Sequence, residues 1–328
     1  MMNWLLDGTL YVYVMIEGIT FSQLCAYDYT TKSVQLSKAP WYIKDKPRFA
    51  YRGLLLDTSR HYFPVDVIKS IIDSMSYAKL NVLHWHIIDK QSFPLEIPKY
   101  PKLWNGAYTK WERYTVEDAS KIVRLKDNNM KPKDAYKYFV LKAQEIAISK
   151  NWTPVNWEET FNAFAGSLNP QTVVHNCTPS TDDFINCGRL GPGVCPKAVA
   201  KGFKCIFSNS GVWYLDHLDV PWEQIYNAEP LEGIDNESKQ KLVLGGEVCM
   251  WSETVDTSNV QQTIWPRAAA AAERLWSTKT ALSAGNDTAL HRLHYFRCLL
   301  QRRGVQAAPV TNYYARQPPA GPDSCYWQ

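Results

Sequence analysis

Apolar runs that end in a polar residue recur along this chain, and two of them define its organisation. The first strand-like run, residues 53–57, is followed by Arg60, and the second, residues 81–88, is followed by Asp89. Between them, residues 65–79 carry apolar side chains at the spacing of one helix face. The pattern predicts a strand, a helix and a second strand, with polar groups at the carboxyl ends of the strands, where α/β enzymes place their chemistry. We therefore predict an α/β protein.

The alternation continues along the chain with one interruption. Thr115 and Asp118 have the spacing of a capping box and predict the start of a helix, and residues 133–149 have a second helical pattern. These two helices meet near Val123 with no strand between them. Further strands are predicted at residues 153–157, 172–175, 205–208 and 242–249, and Pro266 opens a predicted helix at residues 267–276. Six strands fall short of the eight that close a parallel barrel, so unpaired strand edges are expected.

The N-terminal region has weaker signals. A short helix is predicted at residues 20–27, and residues 37–48 form a connector that contains prolines. Residues 1–17 have no basic segment, include Asp7 and contain only a short apolar patch. They therefore resemble neither a convincing signal peptide nor a membrane span.

Composition narrows the functional classes. With 328 residues, 45% of them hydrophobic, the chain can bury the core of a large domain. Its 36 basic and 32 acidic residues are well mixed and give a net charge of +4, which argues against nucleic acid as a partner. The 13 Trp and 19 Tyr residues suit stacking on the apolar faces of sugars, although large cores also use such residues.

Cysteine and sequon positions point towards a secreted or lumenal compartment. Cys298 and Cys325 stand on either side of a tail rich in Gly and Pro, where a disulfide would tie down the terminus. The eight cysteines lack paired C-x-x-C spacing, so they do not predict zinc. Four N-glycosylation sequons begin at Asn151, Asn176, Asn236 and Asn286.

Two histidines raise the question of a metal. His84 and His86 are two residues apart on a predicted strand, and such a pair can face the same way. The sequence offers no third ligand near them, and a metal site held by protein needs at least three. We therefore predict no metal and no cofactor.

Six motifs, in order, carry a resemblance to a known family. They are Arg52-Gly-Leu-Leu-Leu-Asp-Thr-Ser-Arg-His61, His84-Trp-His-Ile-Ile-Asp89, Asn156-Trp-Glu-Glu159, Trp213-Tyr-Leu-Asp216, Gly245-Gly-Glu-Val-Cys-Met-Trp-Ser-Glu253 and Trp265-Pro-Arg-Ala-Ala-Ala-Ala-Ala-Glu-Arg-Leu-Trp276. Together they resemble the β-N-acetylhexosaminidases of glycoside hydrolase family 20, in particular the plant forms. The resemblance implies a (β/α)8 barrel behind a smaller α+β domain. It also implies hydrolysis of terminal β-linked N-acetylglucosamine or N-acetylgalactosamine with retention, in which the acetamido oxygen of the substrate attacks the anomeric carbon.

The resemblance assigns substrate-binding roles by position. Arg60 would bind sugar hydroxyls through its fork of donors, Asp89 would hold the environment of that arginine, and Glu253 would accept from hydroxyls. The remaining roles belong to the acetamido pocket and its floor: Trp157, Trp251, Tyr214 as a donor to the acetamido oxygen, and Asp216 nearby. A structural ion pair at Arg60 and simple core packing of the aromatic residues are the alternatives.

The chain also departs from the family pattern. The Gly-Gly-Asp-Glu-Val motif, which carries the catalytic carboxylate pair, and the Pro-Gly-His motif are both absent. Up to Val123 the chain matches the family as far as the helix before strand three, and from Arg124 it matches the helix after strand four. Strands three and four therefore have no counterpart at this junction, and the predicted (β/α)8 barrel is incomplete. Glu247 lies in a Gly-Gly-Glu-Val sequence on the eighth strand and is a poor candidate for the general acid. Residues 177–191 form an apparent insertion after Asn176.

These departures shape the functional expectation. Residues 1–47 are interpreted as a remnant of the smaller domain with its connector, and residues 48–328 as the barrel domain with a C-terminal tail. With no catalytic residue identified, we predict a β-N-acetylhexosaminidase by descent that is weakly active or inactive. The alternatives are a silent N-acetylhexosamine-binding protein and a splice or gene-model product without function. The resemblance implies a glycan partner and a vacuolar, lysosomal or extracellular location, and it allows a homodimer.

Overall fold

The computed structural model describes residues 3–4, 9–13, 25–28, 30–35, 45–122, 134–176, 193–282 and 285–311. The Val123–Arg124 junction, residues 177–191 and Cys325 lie outside these ranges. Four short strands precede residue 45: β1 (Asn3–Trp4), β2 (Thr9–Tyr13), β3 (Ala26–Asp28) and β4 (Ser33–Gln35). The division of the chain at residues 47 and 48 stays a prediction.

The helix predicted at residues 20–27 is wrong where the structure describes it. Ala26 and Tyr27 belong to strand β3, which pairs with β4 in antiparallel register. The Oδ1 atom of Asp28 accepts hydrogen bonds from the backbone N–H groups of Thr30, at 2.8 Å, and Thr31. This capping by a short acidic side chain favours a turn and therefore a hairpin at this point of the chain.

The elements of the barrel domain follow the predicted alternation. Its strands are β5 (Tyr51–Asp57), β6 (Val82–His86), β7 (Val155–Trp157), β8 (Val173–Asn176), β9 (Lys204–Phe207) and β10 (Val243–Met250). Its helices are α1 (Val65–Tyr77), α2 (Val116–Ile122), α3 (Asp134–Ser149), α4 (Glu158–Phe164), α5 (Cys195–Ala200), α6 (Ser210–Trp213), α7 (Trp222–Asn227), α8 (Glu237–Gln240), α9 (Val260–Ile264), α10 (Arg267–Trp276), α11 (Lys279–Leu282) and α12 (Gly285–Arg302). Two 3₁₀ helices, Pro101–Gly106 and Ala165–Ser167, complete the set described.

All six barrel strands lie side by side in one sheet. The strand order is β1, β2, β6, β5, β10, β9, β8, β7, and every neighbouring pair from β6 to β7 is parallel. Strands β5 and β6 are buried on both faces along almost their whole length, which explains their nearly continuous apolar sequences. The predicted six-stranded, incomplete barrel is confirmed.

The free edge expected at the second barrel strand is covered. Strand β2 pairs with β6 in antiparallel register from Thr9 opposite His86 to Tyr13 opposite Val82. The expectation of an unpaired edge is therefore wrong at β6. A strand edge exposes backbone N–H and C=O groups that bond to any available segment, and here the N-terminal segment of the same chain supplies the partners.

The sheet curls so that its two outermost barrel strands approach each other. Val155 of β7 packs against Val82 of β6, although four strands separate them in the sheet. The ring of His84 in β6 also stacks on Trp157 of β7, with 5.4 Å between their centroids. Interior side chains therefore meet directly across the place where a complete barrel has further strands.

Helix positions agree with the sequence signals. Thr115 and Asp118 form the predicted capping box, since Thr115 Oγ1 donates to Asp118 at 2.7 Å and accepts from the Asp118 backbone N–H at 3.0 Å. Helix α1 buries Ile68, Ile71 and Met75, which are part of the predicted apolar face. Among the described residues, no helix is long and apolar enough to cross a membrane.

A disulfide joins Cys195 to Cys205 and connects helix α5 to strand β9. The sequence did not predict this pair, because a separation of ten residues carries no specific signal without knowledge of the fold. Cys298, on α12, is disulfide-bonded and buried. Its predicted pairing with Cys325 stays a prediction.

Candidate functional site

Arg60 lies at the carboxyl end of β5 and is surrounded by acidic side chains. Its guanidinium nitrogens lie 3.1 Å from Asp57 Oδ2, 2.9 Å from Asp89 Oδ2 and 3.8 Å from Glu253 Oε1. The guanidinium carbon lies 5.0 Å from the centre of the Trp251 ring. Burial lowers the pKa of Arg60, but the three carboxylates outweigh this effect and raise it. We call these five residues the arginine cluster.

Asp57 anchors the arginine cluster, and sequence analysis did not single it out. Its carboxylate is fully buried and accepts hydrogen bonds from the backbone N–H groups of Ser59 and Ser252, at 2.9 and 3.1 Å. The first of these bonds fixes the turn that presents Arg60, and the second ties β5 to the segment after β10. The sequence does contain a signal for Asp57: it is a carboxylate that ends an apolar strand, three residues before an arginine.

Asp89 is held as a carboxylate by three donors. The ring of His86 donates to it at 2.9 Å, the Lys90 backbone N–H at 2.6 Å, and Arg60 is the third donor. The hydrogen bond from His86 is the largest effect, it outweighs burial, and the pKa of Asp89 falls to about 2. The resemblance places Asp89 in the environment of Arg60, and the two side chains meet here because β5 and β6 are parallel neighbours that end at the same edge.

Replacing Asp89 by asparagine should change stability in a pH-dependent way. A lowered folded-state pKa stabilises the fold above the ordinary value of 3.8, and this stabilisation is lost as the pH falls through about 2. The advantage of the wild type over Asp89→Asn in free energy of unfolding should be present at pH 5 and should decrease as the pH falls towards 2. Urea unfolding at a series of pH values measures it.

Asp66→Asn is the matched control for that series, since Asp66 is 93% exposed and forms an exposed ion pair with Lys69. Its effect should be small at every pH. The assigned environment of Asp89 would be contradicted if the wild type were more stable to urea unfolding than Asp89→Asn by the same amount down to pH 2. It would also be contradicted if this difference had already disappeared near pH 5.

Aromatic rings lie beside the arginine cluster. Trp157, Tyr214 and Trp251 are partly exposed and pack on the buried pair Leu55 and Cys249. The Trp251 ring lies 6.1 Å from Trp157 and 6.1 Å from Tyr214, measured between ring centroids. Two rings that hold a flat group between them must be about 7 Å apart, because the group contacts each ring at a distance of about 3.5 Å. Trp157 and Trp251 therefore contact each other in this arrangement.

Two further acidic side chains lie at this end of the sheet. Glu253 is 52% exposed and contributes to the charge around both Arg60 and Asp216. Burial raises the pKa of Asp216, and the Glu253 carboxylate adds to this effect, whereas His217 and Arg267 oppose it. The structure thus brings together, at one end of the barrel, all seven predicted substrate-binding residues: Arg60, Asp89, Trp157, Tyr214, Asp216, Trp251 and Glu253.

Comparison with known proteins gives the family. The family model described as glycosyl hydrolase family 20, catalytic domain, matches residues 49–130 and 123–279. The chain is 55% identical to β-hexosaminidase 1 of Arabidopsis thaliana, over 97% of this chain and 73% of that protein. This chain belongs to glycoside hydrolase family 20. It is also 42% identical to β-hexosaminidase 3 of the same plant, with the same coverage.

Solved structures of this glycoside hydrolase family share the fold. An exo-β-N-acetylglucosaminidase from Vibrio harveyi, in complex with N-acetylglucosamine, matches with a TM-score of 0.72 and 18% identity, over 93% of this chain and 68% of that one. The chitobiase of Flavobacterium johnsoniae matches with a TM-score of 0.71 and 23% identity, over 91% of this chain. The family 20 chain spans 60% of the length of that chitobiase.

The alignment with β-hexosaminidase 1 is longer than this family 20 chain. It extends over 407 positions, whereas 97% of 328 residues is about 318 residues, so about 89 positions have no counterpart here. The family model is matched in two pieces that meet at residues 123–130, which include the junction found from the motifs. Residues 123–133, between helices α2 and α3, lie outside the described ranges.

Glu247 forms a separate cluster inside the barrel of this family 20 chain. Its Oε1 atom lies 2.7 Å from His84 Nδ1 and 2.8 Å from His175 Nε2, and the Tyr51 hydroxyl donates to Oε2. Burial alone would raise the pKa of Glu247, but the two imidazoles outweigh it and hold the pKa far below its usual value. A general acid needs a raised pKa, so the prediction that Glu247 is a poor acid agrees with its environment.

The histidines pair differently from the sequence expectation. Their spacing on a predicted strand suggests that His84 and His86 act as a pair, but His86 bonds to Asp89, whereas His84 meets His175 at Glu247. His175 comes from β8, and no spacing in the sequence links it to His84. Glu158, in the Asn156-Trp-Glu-Glu159 motif, is buried and accepts a hydrogen bond from Asn176 Nδ2 at 2.5 Å. This bond also places the Asn176 sequon inside the fold.

A groove of about 500 Å³ lies at the other end of the sheet, away from the arginine cluster. It is lined by the end of α1 at Tyr77, by Trp276 of α10 and by Phe296 of α12. The Trp276 carbonyl accepts from the Arg48 N–H just before β5 begins, which places this groove at the amino ends of the strands. Barrel enzymes carry their chemistry at the carboxyl ends, so the groove is not the candidate site.

Proposed function

We propose that this chain binds terminal N-acetylhexosamine residues of glycans at the arginine cluster and hydrolyses β-N-acetylhexosaminides weakly or not at all. The full reaction that the family implies is hydrolysis of terminal non-reducing residues with retention, assisted by the acetamido group of the substrate. Substrate binding and catalysis depend on different residues. The chain contains the residues for binding, whereas it has no Gly-Gly-Asp-Glu-Val sequence to supply the catalytic carboxylates.

Buried polar atoms at the arginine cluster are the observation that carries the binding proposal. Within the described ranges, Arg60 Nε, Trp251 Nε1 and Asp216 Oδ1 are buried and have no hydrogen-bond partner in the protein. Such a group costs about 1–3 kcal/mol when it has no partner. A sugar offers hydroxyl groups that both donate and accept, and its apolar face suits the Trp251 ring. A polyhydroxylated ligand therefore matches the chemistry of this site.

Positions within the cluster support distinct roles. Arg60 would donate to sugar hydroxyls through its fork, and Asp57 and Asp89 would hold that fork in place. Glu253, which is half exposed, would accept from hydroxyls at the rim. Trp251 would form the floor, with Tyr214, Asp216 and Trp157 around the acetamido group. Because the Trp157 and Trp251 rings contact each other, one of them would move by about 1 Å to admit that group.

The weak activity follows from the absence of a proton donor. The chain has no Gly-Gly-Asp-Glu-Val sequence, and Glu247, in the only Gly-Gly-Glu-Val sequence, is buried and strongly held as a carboxylate. Without a carboxylate to orient the acetamide and an acid to protonate the leaving group, substrate-assisted hydrolysis loses both of its main contributions. The plant relatives favour a vacuolar or extracellular location, and the homodimer allowed by the family belongs to the same proposal.

Calorimetric titration with N-acetylglucosamine tests the binding function. The wild type should bind with a dissociation constant in the millimolar range, and Arg60→Ala should weaken binding by roughly 10- to 100-fold, because hydrogen bonds to charged groups contribute about 1.5–3 kcal/mol. Glu253→Gln, at an exposed position, should weaken binding less.

Arg292→Ala is the matched control for Arg60→Ala, since Arg292 forms a surface ion pair with Glu273 on α10. It should leave the affinity unchanged. Thermal melts establish that each variant is folded. An absence of heat from the folded wild type at millimolar sugar would overturn the binding function.

A further inference from the structure

We propose that His84, His175 and Glu247 form a binding site for a divalent transition-metal ion, with Zn²⁺ as the preferred occupant. The ligand atoms are His84 Nδ1, His175 Nε2 and a carboxylate oxygen of Glu247, and all lie within 4.8 Å of one another. Two imidazoles and one carboxylate are a donor set that zinc uses in proteins with three protein ligands. This inference is independent of sugar binding.

The distances from the two histidine nitrogens to the Glu247 oxygen need only a small adjustment to hold the ion. Zinc bonds of about 2.0–2.1 Å in a tetrahedral site place ligand atoms about 3.3 Å apart. The two nitrogen-to-oxygen distances in the cluster are 2.7 and 2.8 Å, so the side chains would separate by about 0.5 Å. Each imidazole would bind the ion through an unprotonated ring nitrogen and keep one proton on the other nitrogen, and any further proton would be released to solvent.

The three ligands are fixed by the fold. His84 lies on β6, His175 on β8 and Glu247 on β10, and each is at most 1% exposed. A site built on strands loses little conformational entropy when an ion binds, because its side chains are already ordered. Glu247 lies opposite Gly53 in the register with β5, and a Cβ atom at Gly53 would lie 2.6 Å from Glu247 Oε2. The glycine therefore leaves the space that the carboxylate occupies.

Side chains around the cluster contact the three ligands and would orient them for a metal ion. Tyr51 donates to Oε2 of Glu247, which leaves Oε1 directed at both imidazoles. Outer-shell hydrogen bonds of this kind orient the ligands of many metal sites. The Trp157 ring stacks on His84 and meets His175 edge-on at 4.9 Å. Trp157 is partly exposed and would separate the ion from the arginine cluster.

Metal analysis of untagged, full-length protein tests the site. After gel filtration the protein should carry about one zinc ion per chain by mass spectrometry of metals. Chelator-treated protein should gain roughly 5 °C in melting temperature when Zn²⁺ is added at about 100 times its dissociation constant. Co²⁺ in place of Zn²⁺ should give the visible absorption of a tetrahedral site.

His175→Gln and Glu247→Gln test the ligands, since both keep the size and hydrogen-bonding ability of the side chain. Each should melt near the chelated wild type and lose the shift produced by Zn²⁺. His291→Gln, at an exposed histidine of α12, is the control and should keep the shift. If wild-type protein binds no zinc and shows no shift, or if the glutamine variants keep both, the proposal is overturned and the cluster is a hydrogen-bonded core network.

Discussion

Purified protein is expected to hydrolyse a chromogenic N-acetylglucosaminide at least ~10² to 10⁴ times more slowly than β-hexosaminidase 1 of Arabidopsis thaliana under the same conditions, because general acid catalysis alone contributes about this factor. The loss of the carboxylate that orients the acetamide adds to the deficit. Initial rates at saturating substrate measure the difference. Turnover within tenfold of that relative would contradict the proposed deficiency.

Any residual hydrolysis by this chain can be traced to a particular residue. Asp216 is a carboxyl at the arginine cluster whose pKa is raised, mainly by burial, so it is the residue best suited to donate a proton in place of the missing acid. Asp216→Asn should abolish residual hydrolysis. Arg60→Ala should reduce it as well, whereas activity from a contaminating enzyme of the expression host would be the same in every preparation.

Gly245→Ala is expected to lower the free energy of unfolding by more than about 3 kcal/mol or to prevent folding. Gly245 has a φ of +147°, where a side chain is strained, and an added Cβ atom would lie 1.9 Å from the Tyr51 carbonyl oxygen. That oxygen belongs to the neighbouring strand β5, so the pairing of β5 with β10 would have to open. Urea unfolding followed by tryptophan fluorescence measures the loss.

Gly166→Ala is the matched control for this glycine. Gly166 lies in an exposed 3₁₀ turn, and no atom lies within 4 Å of the position of an added Cβ. Its replacement should change the free energy of unfolding by less than about 0.5 kcal/mol. Equal stability of the two variants would show that the junction of β5 and β10 tolerates a side chain, contrary to the close approach seen here.

Local patterns determined much of the barrel. Strands β5 and β6 are apolar on both faces, and the helix between them repeats its apolar residues at helical spacing, so their order and type were predictable. The meeting of Arg60 and Asp89 was also predictable, because neighbouring parallel strands end at the same edge. The hairpin at Ala26–Asp28 was not, since a few apolar residues there fit helix and strand equally well.

Six ordered motifs identify the family, and the order of the predicted elements reveals the shortage of strands between Ile122 and Asp134. The strand that covers the free edge of β6, and the polar groups that meet inside the barrel, follow from the folded arrangement of the sheet. The pairing of β2 with β6, and the contact of Val82 with Val155, depend on backbone groups and side chains far apart in the chain. The cluster of His84, His175 and Glu247 depends in the same way on the curl and register of the sheet. Periodicity records which face of an element is buried, and it does not record which distant element covers that face.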